Sequence, residues 1–87
     1  MPMIVELHNT GSAESQRDVV AMIEHILSGR PGDWHVVIVG TQASDRWEMK
    51  ITGPAGFERS YTLEGELGQH EPSTIAAIVS RMLPPKS

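Results

Sequence analysis

Four histidines, eleven acidic residues and no cysteine bound the chemistry open to this 87-residue chain. Glu6 and His8 stand two apart, a spacing that puts both on one face of a strand. Glu24-His25 and His70-Glu71 are adjacent pairs, and neighbours on a regular element point apart. Zinc and calcium sites that can be read from sequence bring their ligands together by fixed spacings such as H-x3-H, H-E-x-x-H or D-x-D-x-D-G. None of these spacings occurs. A metal site would need three separate segments to converge, so the histidines read as surface residues and no metal or cofactor is expected.

Nucleophilic and acid–base chemistry have no better footing. The absence of cysteine excludes a thiol nucleophile, thiolate metal ligands and disulfide bonds. Ser12, after Gly11, and Ser60 lack the G-x-S-x-G context of a strained nucleophile turn. Glu64, Glu66 and Glu71 lie in a polar surface segment, which offers no desolvated pocket for acid–base work. Gly65 and Gly68 share that segment, and its acidic neighbours would repel a phosphate. A non-enzymatic protein is the expectation.

The elements that would position these residues follow from hydropathic period. Residues 34–39 (Trp-His-Val-Val-Ile-Val) form a near-continuous β-branched run, the mark of an interior strand. Residues 46–52 alternate, with Trp47, Met49 and Ile51 inward and Glu48, Lys50 and Thr52 outward. Residues 57–63 alternate too, with Phe57, Tyr61 and Leu63 on one parity and Tyr61 and Leu63 expected against the helices. Arg59 falls on that apolar parity, which marks an edge strand. Turn chemistry at 40–45 and at Gly53-Pro54-Ala55-Gly56 makes these three strands antiparallel neighbours. Val19, Met22, Ile23, Ile26 and Leu27 recur at helical spacing, as do Ile75, Ile78, Val79, Met82 and Leu83. Ser12 or Ser15 would cap the first helix, and Gly29 with Pro31 would end it. Pro72 suits the first position of the second helix, and Pro84-Pro85 stops it.

The segment Met3–His8 has strand character, with Val5 and Leu7 on one face and Glu6 and His8 on the other. The hairpin order leaves one free edge each on 34–39 and 57–63. The apolar run 34–39 needs a neighbour, so 3–8 is placed beside it. Within one chain that pairing is parallel, whereas exchange of the arm between two copies would give a dimer. The expected fold is therefore α+β, one domain over residues 1–87 in the order (β)-α-β-β-β-α. A three-stranded antiparallel sheet, with a fourth N-terminal strand from the 1–11 arm, carries both helices on one face, and 84–87 form a tail.

The order α-β-β-β-α resembles that of the double-stranded RNA-binding domain, over residues 13–83 and in element length. That resemblance implies a lysine-rich start to the second helix, where phosphates are contacted. The matching stretch here, His70 to Ala77, has no lysine and one glutamate. Seven Lys and Arg against eleven Asp and Glu leave a net charge of -4, and the cations are scattered rather than clustered. Nucleic acid is thus not the expected partner.

Nor is a membrane, since nothing approaches the ~18 apolar residues of a span. The N-terminal residues lack the basic and apolar regions of a signal peptide, so a cytoplasmic location is expected. Trp34 and Trp47 read as core under the helices, a ligand platform being the alternative.

With Trp34, Val36 and Ile38 inward, His35, Val37 and Val39 fall on an otherwise polar face. Those three residues, with Val5 and Leu7 of the arm, are the candidate association surface. The expected function is an interaction or self-associating domain, with a protein partner or a second copy as a homodimer. The alternatives are a nucleic-acid-binding domain of double-stranded-RNA-binding topology that has lost its lysines, and a ligand-binding or enzyme accessory subunit using the 64–71 loop.

Overall fold

The β-branched run at 34–39 becomes the second strand of a four-stranded sheet. The computed structural model describes residues 3–11, 13–40 and 45–83. In order these form β1 (Met3–His8), α1 (Ala13–Leu27), β2 (Trp34–Val39), β3 (Arg46–Thr52), β4 (Glu58–Glu64) and α2 (Pro72–Met82). The sheet order is β1-β2-β3-β4. β2, β3 and β4 are successive antiparallel neighbours. β1 lies parallel to β2, with register running from Met3 opposite Trp34 to His8 opposite Val39. The arm therefore pairs within its own chain, through a β-α-β connection.

Strand alternation sorts the side chains into two layers. Trp34, Val36, Ile38, Met49, Ile51 and Leu63 point to one face and are buried with Val19, Ile23 and Leu27 of α1 and Ile75, Ile78 and Val79 of α2. Leu83, just past α2, closes the same core. Both helices cover this face, as each carries one apolar stripe and needs one apolar surface. Met3, Val5 and Leu7 pack against the core from β1.

Several expectations are corrected at the margins. Tyr61 has the inward parity of Leu63 yet is 38% exposed. It sits on the edge strand with Arg59, beyond the helix cover, and its hydroxyl accepts a 3.3 Å hydrogen bond from Gln69 Nε2. Met22 is exposed at the border of the α1 stripe rather than in the core. Ser15 lies inside α1, so it is not the cap, and Ser12 falls outside the described residues. At the other end of α1 the left-handed backbone belongs to Gly32 (φ 98), not Gly29. The Ser28 hydroxyl instead donates to the His25 carbonyl at 2.7 Å, satisfying an end-of-helix acceptor. Pro72 does open α2, but Glu71 before it makes no side-chain cap. Residues 84–87 lie outside the described residues.

Gly40 shows how closely β1 and β2 are joined. Its N–H donates to the His8 carbonyl at 2.7 Å, continuing the parallel ladder past both strands. A Cβ there would sit 2.2 Å from the Asn9 carbonyl oxygen, so only glycine allows this approach.

Candidate functional site

The face of the sheet opposite the helices has nothing over it among the described residues. The strand registers arrange its side chains in rows that cross all four strands. One row runs Glu6, Val37, Lys50, Ser60, and the next runs His8, Val39, Glu48, Thr62. Outside them lie Ile4, His35, Thr52 and Glu58 at one end, and Arg46 opposite Glu64 at the other. Ile4 is 53% exposed and Val39 40%, with Val37 half-buried between its neighbours. A depression of about 690 Å3 opens over β2, β3 and β4, with Val37, Val39, Glu48 and Lys50 among its walls.

Several charged groups on this face have a partner within the chain. Glu6 Oε2 lies 2.5 Å from His35 Nε2, and Glu6 Oε1 lies 3.9 Å from His8 Nε2. Lys50 Nζ is 3.4 Å from Glu58, and Arg46 Nε is 3.5 Å from Glu64. The exposed Lys50 and Arg46 pairs contribute ~0–1 kcal/mol each, so they offset two of the face's carboxylates more than they stabilise the fold. Glu48 is different. It has no ion-pair partner among the described residues, and it lies between Val39 and Thr62 in strand register.

His35, Val37 and Val39 thus sit together on the open face, as the alternation of β2 requires. Val5 and Leu7 do not join them. In the parallel register Val5 is opposite Val36 and Leu7 opposite Ile38, so both lie on the helix-covered face against the core. The apolar residue that β1 places on the open face is Ile4, opposite His35. The Glu6–His35 pair spans 29 residues of sequence and has no local signature.

Chemistry of other kinds finds little geometry. No group of three His, Cys, Asp or Glu among the described residues is placed to hold a metal ion. His70 is half-buried rather than a surface histidine. Its ring stacks on Trp47 at 3.6 Å and 8°, and its Nε2–H donates to the Leu63 carbonyl at 3.2 Å. The stack occupies one face of the Trp47 ring. Trp34 is buried at 5% exposure, so the two tryptophans form no shared platform.

The cations are dispersed over α1, the segment after it, β3, β4 and α2, and Lys50 and Arg46 are paired with carboxylates. The first turn of α2 carries Pro72, Ser73 and Thr74 and no basic residue. Duplex RNA binding is therefore expected to be undetectable at about 150 mM salt, where each phosphate contact requires a cation. Micromolar affinity by fluorescence anisotropy, falling steeply as salt rises, would contradict this.

No protein-family model matches the chain, and no curated protein is similar to it in sequence. Among solved structures it is similar to the N-terminal domain of Protein Y from Thermus thermophilus, at a TM-score of 0.54 and 13% identity. That match covers 95% of this chain and 100% of the other. At this identity the likeness is one of fold, a small α+β domain with a mixed four-stranded sheet and two helices. No helix among the described residues is long and apolar enough to cross a membrane.

Proposed function

We propose that the domain is non-enzymatic and works by contact, using the open face of its sheet to hold another protein surface. The observation that carries this reading is the exposed apolar side chains of Ile4 and Val39, with half-buried Val37, on a face whose lysine and arginine are paired within the chain. Burying such a face removes β-branched surface from water, and Lys50 and Arg46 go in with carboxylates already beside them. The covered face already holds the core, so the open face is free for this use without disturbing the fold. The cysteine-free composition accords with work in a reducing compartment such as the cytoplasm.

A photoreactive benzophenone side chain in place of Val37 tests the reading. In cells it should cross-link to protein, giving a discrete product. The same group at Ser80, exposed on α2, should not. Equal labelling from both positions, or none from position 37, would refute the reading.

A further inference from the structure

The register makes the open face self-complementary, and we infer that its occupant is a second copy of the chain. The two copies pack face to face about a two-fold axis that crosses the strands above the row Leu7, Ile38, Met49 and Tyr61. This rests on the contact reading above and names the partner of that same surface.

The argument is geometric. Leu7, Ile38, Met49 and Tyr61 are successive register partners across the four strands. The two open-face rows flank them, one on each side. A two-fold in the interface plane reverses strand direction and lays one row of each copy over the other row of its mate. Val37 then meets the partner's Val39, and Glu48 meets the partner's Lys50. His8 faces the partner's Glu6, and Ser60 faces the partner's Thr62. Each position finds matching chemistry: apolar on apolar, carboxylate on ammonium, imidazole on carboxylate, hydroxyl on hydroxyl. Glu48, the open-face acid lacking an ion partner among the described residues, gains one.

Two other face-to-face two-folds fail on the same residues. An axis running along β3 would set Glu48 on the partner's Glu48 and Lys50 on the partner's Lys50. An axis between β2 and β3 and parallel to them would press Val37 onto the partner's Lys50. A third, along β2, sets Lys50 on the partner's Glu6 and Glu48 on the partner's His8, so that only the inferred packing brings Glu48 to the partner's Lys50. In the inferred packing Glu58 falls over the partner's Glu64 at a corner, and Ile4, at the opposite corner, meets no apolar residue of β1. Glu64 keeps Arg46 of its own chain, while Lys50 is shared between its own Glu58 and the partner's Glu48. Packed sheets also cross at about −30°, which draws the corners apart and concentrates contact on β2 and β3.

With strands about 4.8 Å apart and about 3.3 Å of rise per residue, the face measures roughly 20 Å by 20 Å. Two such faces come to roughly 800 Å2 in projection, below the ~1,200–2,000 Å2 of stable complexes, so the dimer is a weak one that dissociates on dilution.

Sedimentation analysis from micromolar to millimolar protein tests the inference. The wild-type chain should pass from monomer to dimer. Glu48→Lys and Lys50→Glu should each weaken self-association by about tenfold or more, because each puts like charges together twice in the dimer. An equimolar mixture of the two variants should dimerise, since one presents two lysines to the two glutamates of the other. The double swap should recover the homodimer, and this rescue also shows that the variants fold.

A wild-type chain that stays monomeric, single variants that dimerise like wild type, or a mixture no better than its components would each overturn the inference. If the wild type is monomeric while position 37 still cross-links to a different protein, the second copy is excluded and the contact reading survives. Absence of both results removes both.

Discussion

Removal of residues 1–9 should destabilise the domain by about 3–6 kcal/mol, from lost ladder hydrogen bonds and lost apolar burial. β1 contributes six register pairs to β2, and Met3, Val5 and Leu7 lean on the core. Without it the interior strand β2 becomes an edge, with one row of backbone donors and acceptors unpaired and Val36 and Ile38 partly bared. Whole domains are stable by only about 5–15 kcal/mol, so the truncated chain stands at the border of folding. Each kcal/mol moves the midpoint by roughly 4–8 °C in a chain of this size, which puts the fall in Tm at about 12 °C or more. Circular dichroism melts of the two proteins compare them directly. Equal melting temperatures would mean that β1 contributes nothing to stability, against its register and packing.

Replacement of Trp34 by alanine should cost a further large amount, about 3–5 kcal/mol, the range for emptying a buried aromatic site. Trp34 is 5% exposed and caps one end of the core. Its Nε1–H donates to the Pro31 carbonyl at 3.2 Å, tying the α1–β2 connection to the sheet. Phe57 meets it edge-on, with centroids 5.6 Å apart at 63°. Trp34→Phe should lose much less, since the ring body remains and only the donor and part of the volume go. Gly53 checks the same site from the other side. A Cβ there would lie 2.5 Å from Trp34 Cζ3, while the Gly53 φ of -152 suits any residue. Gly53→Ala should therefore destabilise by about 1–3 kcal/mol through crowding alone. If urea titration finds Gly53→Ala neutral, the ring is not held where the structure puts it.

Local period determined most of the architecture. The alternation of 46–52 tells which of its side chains are buried without any knowledge of the rest of the fold, because strand side chains switch face at every residue. The apolar run 34–39 marks an interior strand, and that in turn requires a neighbour, which only 3–8 could supply. Arg59 marks β4 as the edge because its guanidinium needs water, and it lies over the Phe57 ring at 5.6 Å. The spacing of Ile23 and Leu27 in α1 and of Ile75 and Val79 in α2 likewise announces which face each helix buries.

Tertiary structure alone decided the composition of the candidate surface. Each strand declares its own two faces, but the phase between β1 and β2 is set by their register, and a one-residue shift exchanges every side chain. That register sends Val5 and Leu7 to the core and brings Ile4 beside His35. The same cause hides the Glu6–His35 pair and the Trp47–His70 stack, whose members are distant in sequence and meet only once the sheet and the turn before α2 are in place. Periodicity reports where a residue points along its own element, whereas the rows that cross the open face exist only between elements.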